Sequence, residues 1–306
     1  MRAGLAVALV VVCGAAGAWL ACSSSRGSPA TGNDASSDAV VGDAPPEGEG
    51  GGSGDGGTAG VGVLTFSEAL DAGGTFFGGF ATETSPASVP GCTVVDAGAC
   101  TTTSCPPLAA DASAGEAGLP DAAPVLLAPN PGTLHLTGGA FGDAGVTVAP
   151  DKVGTYLYVS PGSLFAPGDT LGVSAAGGQL AGFLEQTTVA LPVAQLTAPV
   201  SDGGTLSIAT AQPLTISWTG GQAGATLVLS ATALFTTGGQ ATMTCGWDAS
   251  SGTASVPSAA LEPLAAENAF TSGLGWYQAN STRFTTGKVA VTLTAYIAQQ
   301  VPASFQ

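Results

Sequence analysis

Apolar residues recur at every second position through much of this chain, in short stretches broken by turn residues. Val61 to Phe66, with Val63, Leu64 and Phe66 apolar, reads as the first strand. Thr75-Phe-Phe-Gly-Gly-Phe80 reads as a second strand or a buried aromatic loop, and Cys92-Thr-Val-Val95 as a further strand. Residues 97–131 are mostly Ala, Asp, Gly and Pro around one apolar patch, Val125-Leu126-Leu127, and predict a long disulfide-pinned loop. A regular series follows at Thr133–Thr137, Val146–Val148, Thr155–Val159, Thr170–Ser174 and Gly182–Leu184. Turns about every ten residues favour antiparallel pairing. Leu191-Pro192 through Pro199 predicts an extended crossover between domains, because Pro at each end suits an irregular linker.

The second half continues with Thr205–Ile208, Leu214–Trp218, Ala225–Leu229, Ala241–Cys245 and a long final strand, Lys288–Ile297. Thr215, Ser217, Thr226, Thr292 and Thr294 separate apolar neighbours, as in sheets with one solvated face. Pro257–Leu264 is the one place that reads as a short helical turn, and no helix-period stretch of useful length occurs. The fold class predicted is all-β: one or two antiparallel β-sandwich domains, divided into 61–195 and 196–306.

Residues 1–21 form an export signal: Arg2, an apolar run from Leu5 to Val12, then small residues before Cys22. A membrane-spanning helix is the alternative, but Gly14 and Gly17 break the apolar stretch and no stop-transfer pattern follows. Ala16-Gly17-Ala18 suits ordinary signal cleavage, whereas Trp19-Leu20-Ala21-Cys22 resembles a bacterial lipobox, with Trp19 and Leu20 departing from its usual residues. The lipobox reading makes Cys22 the lipidated residue, and two acyl chains at about 0.8 kcal/mol per buried methylene hold a protein on a membrane almost permanently. Residues 22–60 are nearly all Ser, Gly, Ala, Asp, Glu, Thr and Pro and predict a disordered tether. Ser23 resembles the residue that follows the cysteine in lipoproteins sorted to the outer membrane.

Charge narrows the partners. The 306 residues hold five Lys and Arg against 21 Asp and Glu, a net charge of −16, and the signal removes one of the five. Phosphate contacts need clustered cations, and only Arg283 and Lys288 are close in sequence, so nucleic acid is excluded as a partner. An acidic surface also repels anionic lipid, so the link to the membrane is covalent or absent. Past the tether, Cys92, Cys100, Cys105 and Cys245 are an even set in an exported chain and predict two disulfides, with three connectivities open. At most one bond joins two of the clustered three, so one of them reaches Cys245.

At this point the chain resembles the surface lipoproteins of unknown function that are abundant in myxobacteria and related high-GC bacteria. The likeness rests on Cys22 with its tether, on Pro167-Gly-Asp-Thr-Leu171 followed by Gly177-Gly178 and Phe183, and on Leu214-Thr-Ile-Ser-Trp218-Thr-Gly-Gly221. The last stretch also looks like the Trp-bearing strand of immunoglobulin-like and fibronectin-like modules, which would make Trp218 a core residue. The resemblance implies a β-sandwich on the cell surface and brings no activity with it.

Candidate chemistry is sparse. His135, the only histidine, shares the polar face of its strand with Thr133 and Thr137, and no nucleophile motif adjoins it. Glu185, Glu262 and Glu267 are the carboxylates available for glycoside cleavage. Asp71, Asp96 and Asp143, each followed by Ala-Gly, and Asp202 before Gly-Gly lack the alternating ligands of a calcium loop and read as turns. Trp247, Trp276 and Tyr277 fall near strand ends, where a glycan-binding module places stacking platforms; core packing is the competing role. These features predict a non-enzymatic envelope protein that is structural or adhesive, or that binds a glycan or a protein. The alternative is a hydrolase or glycan-active enzyme on the same scaffold. No metal or other cofactor is implied.

Overall fold

Alternation becomes strands wherever one face can be buried. A computed structural model describes residues 60–69, 73–82, 91–107, 129–200, 204–265 and 269–306. The signal, the tether with Cys22, the Val125 patch, Asp71, Asp202 and Glu267 lie outside the described residues. The first strands are β1 (Gly60–Ala69), β2 (Gly73–Thr82), β3 (Thr93–Ala97), β4 (Cys100–Cys105), β5 (Leu134–Thr137) and β6 (Val146–Val148). Next come β7 (Tyr156–Ser160), β8 (Thr170–Ala175), β9 (Phe183–Val189), β10 (Gln195–Ala198), β11 (Leu206–Ile208) and β12 (Leu214–Thr219). The chain ends with β13 (Thr226–Phe235), β14 (Gln240–Asp248), β15 (Thr253–Val256), a helical turn α1 (Ser258–Leu261), β16 (Ala269–Ala279), β17 (Ser281–Thr286) and β18 (Val289–Phe305).

The protein is all-β and of sandwich type. One large sheet runs β3-β4-β14-β13-β16-β18-β1-β2-β7, with β11 and β17 also paired to β18. Two small antiparallel sheets, β6-β5-β8-β9 and β10-β12-β15, cover the same face of it. Under the first lie Leu64, Phe66, Phe76, Leu134, Leu171 and Leu293, each fully buried. Under the second lie Ile216, Trp218, Leu227, Leu229, Met243 and Trp276. At roughly 1.5–3 kcal/mol for each large apolar side chain buried, these two clusters are the main stabilising term.

The large sheet is mixed rather than purely antiparallel, since β1 and β11 both run parallel to β18. Its backbone is one long hairpin. Gly273↔Pro302, Trp276↔Gln299, Ser281↔Thr294 and Thr286↔Val289 share a continuous register, so β16 and β17 form one arm, interrupted at Asn280, and β18 the other. Gly287-Lys288 closes it, with Gly287 at φ 58°, a conformation that costs glycine little. Odd-numbered residues of β18 point inward along its whole length: Val291 and Leu293 enter the first core, and Ala303 the second.

Several elements depart from the expected pattern. β4 lies within the stretch expected to be loop; its Thr-rich segment is flanked by Gly and Ala that mask it. β10 lies within the expected crossover. β15, β16 and β17 have no counterpart in the alternation, and Gly273 and Gly275 dilute the apolar signal of β16. The first core ends at Ala190 and the second begins at Leu191, apart from strands that cross the boundary. The β3–β4 hairpin joins the second core's sheet, and β18 pairs with β1. The division at residue 195 is therefore not a division in space.

The disulfides are Cys92–Cys105 and Cys100–Cys245. Cys100 and Cys245 are directly opposed on β4 and β14, and Cys105 at the other end of β4 is joined to Cys92, the residue just before β3, so β4 is stapled at both ends. Because side chains alternate, the two staples lie on opposite faces: Cys100 and Cys245 are buried, and Cys105 is half-buried on the outer face.

Candidate functional site

The small sheet β6-β5-β8-β9 turns its polar face outward. Leu134 and Leu136 of β5 and Leu171 and Val173 of β8 face the core, which leaves His135, Thr137, Thr170, Gly172 and Ser174 on the other side. His135 lies directly opposite Ser174, and Thr137 opposite Gly172, which in turn opposes Thr187 of β9. With Asp143 and Glu185, these residues line an open groove of about 540 Å³. A more apolar continuation of about 500 Å³ adds Phe183, Leu184 and Thr147.

Two glycines shape the groove. A Cβ at Gly172 would collide with Thr137 Oγ1 and Glu185 Oε1, so the bare backbone lets the Thr137 hydroxyl donate to Glu185 across β8, at 2.5 Å. Gly145, at φ 63°, sits where a Cβ would meet the His135 ring at 2.6 Å, which sets the imidazole against backbone on one side. A register shift between Val173 and Ala175 makes room for an extra residue on β9, and Leu184 is 86% exposed. The groove thus offers hydroxyls, one imidazole, two carboxylates and an apolar shoulder, and its lining contains no Lys or Arg.

The other candidates lie elsewhere. Trp276 is buried and its Nε1 donates to the Ala194 carbonyl at 2.9 Å, so it is a core residue. Tyr277 is buried and stacked on Tyr296, with ring centroids 3.9 Å apart. Burial raises the pKa of the Tyr296 phenol, against the opposing effect of a Ser67 hydrogen bond. The stacking role proposed for Trp276 and Tyr277 therefore gives way to packing. Trp247 is half-buried against the second core, 6.5 Å from Trp218. Trp218 is itself a core residue, and its Nε1 donates to the Ala249 carbonyl at 2.6 Å. Glu262 is exposed beside α1, away from the groove. Asp96 accepts a hydrogen bond from Thr101, and Asp248 caps a turn where Ser250 hydrogen bonds lower its pKa. Among the described residues no three His, Cys, Asp or Glu side chains gather as a metal site, and no helix is long and apolar enough to cross a membrane.

The sequence singled out His135 and Glu185 separately and Asp143 as a turn residue, but passed over Gly172, Ser174 and Thr187. The available signal was Thr170-Leu-Gly-Val-Ser174, whose polar positions face the same way as His135 once the strands pair. A scan of protein-family models finds no match to this chain, and a search of curated proteins finds none either.

Proposed function

We propose that this chain is an exported cell-envelope lipoprotein, anchored through Cys22, that acts without catalysis as a recognition module for a glycan or an envelope protein. The groove on β5, β8 and β9 carries this reading: hydroxyls, His135, Asp143 and Glu185 converge on an outward face with exposed Leu184 beside them. An acidic, hydroxyl-rich lining without cations favours neutral or amine-bearing groups that donate hydrogen bonds, and disfavours anions. The two disulfides agree with an oxidising compartment.

The test uses the full chain purified from membranes by detergent partitioning and titrated calorimetrically with an oligomer of amino sugars. The expected result is an acyl mass shift that Cys22→Ala removes, together with binding that weakens at least about tenfold in the double variant His135→Ala/Glu185→Gln. An unmodified mass, no binding heat, or equal binding by the variant would refute the corresponding part. One observation favours a second reading, a glycan-active hydrolase: Asp143, Glu185 and His135 share a single groove. Release of reducing ends from the same oligomer, lost in Glu185→Gln, would replace the first reading with the second.

A further inference from the structure

The outer face of the large sheet carries an ordered array that the groove does not use. Across β4, β14 and β13, register places Thr101 beside Thr244 and Ser230, and Thr103 beside Thr242 and Thr232. Both rows continue onto β16 at Gly275 and Gly273, where the Gln300 side chain of β18 lies over Gly273, and they end against Gln300 and Pro302. All six side chains are half-buried, and they point away from Leu229, Ala231 and Met243, which fill the core beneath. Neighbouring rows are two residues apart along each strand, roughly 6.6–6.8 Å, and neighbouring strands about 4.8 Å apart. The result is a two-dimensional grid of hydroxyl and methyl groups.

Three properties of the grid point to its occupant. Thr101 donates to Asp96 and Ser230 to the Gly275 carbonyl, whereas the hydroxyls of Thr103, Thr232, Thr242 and Thr244 have no hydrogen-bond partner among the described residues. Asp96 is the only charged group in either row, on a chain of net charge −16. The grid is also held by both staples, Cys100–Cys245 beneath it and Cys92–Cys105 at its margin, so little ordering entropy is lost on binding.

We infer that this face binds a neutral polysaccharide chain laid across β4, β14 and β13, through the hydroxyls of Thr103, Thr242, Thr232 and Thr244. Neutrality follows from the lining, which has no cation to pair an anionic sugar and no acidic cluster to hold a cationic one. Sugar rings present hydroxyls at their edges and C–H groups on their faces, matching the alternation of Thr hydroxyl and methyl. A crystalline surface is a poorer match, because sheet twist of about 20–25° per strand rotates successive strands away from any flat lattice, whereas a single chain can follow the twist.

Native electrophoresis of the detergent-solubilised full chain through gels cast with dextran or hydroxyethyl cellulose tests the inference, with carboxymethyl cellulose as the anionic control. Retardation in a neutral gel is expected. It should weaken at least about tenfold in Thr103→Val/Thr232→Val/Thr242→Val, which keeps β-branched shape and strand propensity while removing hydroxyls. The matching triple Thr→Ser variant should stay close to the parent. Free migration in both neutral gels, equal retardation of the valine variant, loss in the serine variant, or stronger retardation by carboxymethyl cellulose would each overturn it.

Discussion

Tyr156 shows how one residue ties local chemistry to stability. Its side chain is fully buried at the margin of the first core, edge-on to Phe80, while its hydroxyl donates to the Gly132 carbonyl at 2.5 Å. Burial penalises the phenolate and pushes the pKa up to about 12. An unfolded tyrosine ionises near pH 10, so the folded state holds this proton more tightly. The contribution is fully present below about pH 10 and is lost as pH rises towards 12. Urea midpoints should fall across that alkaline window, and Tyr156→Phe should flatten the fall while losing about 1 kcal/mol at neutral pH. An equally steep alkaline fall in the variant would assign the effect to other groups. At this scale the sequence was informative about type and not about neighbours. His135 and Glu185 were visible as polar residues on strands, but the Thr137–Glu185 hydrogen bond depends on Gly172, whose lack of a side chain matters only once three strands are aligned.

Among elements, β4 carries the most constraint per residue. Cys92–Cys105 closes a short loop, with a sequence separation of 13, whereas Cys100–Cys245 has a separation of 145. On the chain-entropy model these contribute about 3 and 5 kcal/mol, so the long-range bond should matter more. Replacing Cys100 and Cys245 by Ala is expected to lower the urea-derived unfolding free energy by about 2 kcal/mol more than replacing Cys92 and Cys105. Equal losses would mean that the unfolded chain is already constrained near residues 100 and 245. Strands with clean alternation, such as β12 and β18, were legible because one face is buried and the other wet. β4, β16 and β17 were not, because Thr, Ser and Gly carry little hydrophobic contrast and their place in the sheet comes from neighbours distant in sequence. The need for a long-range cysteine bond was legible, while its partner in β4 was settled only by strand register.

At the scale of the whole molecule, the decisive contact joins the two ends of the described chain: Gly60 of β1 stands beside Val289 of β18 and runs parallel with it. Parallel pairing over such a separation leaves no local signature, which is why two successive units are the natural reading of the sequence. The final hairpin makes them interdependent, since β18 places Leu293 in one core and Ala303 in the other. Unfolding either core would leave part of β18 with unpaired backbone and exposed apolar side chains, so the two should melt together. Leu136→Ala in the first core and Leu229→Ala in the second each empty a fully buried site and should cost about 2–5 kcal/mol. In scanning calorimetry both variants are expected to shift one and the same endotherm. Two endotherms, with Leu136→Ala moving one and Leu229→Ala the other, would show that β18 does not couple the cores. The β5-β8-β9 groove and the threonine face would then sit on independently stable halves, and loss of one would leave the other able to bind.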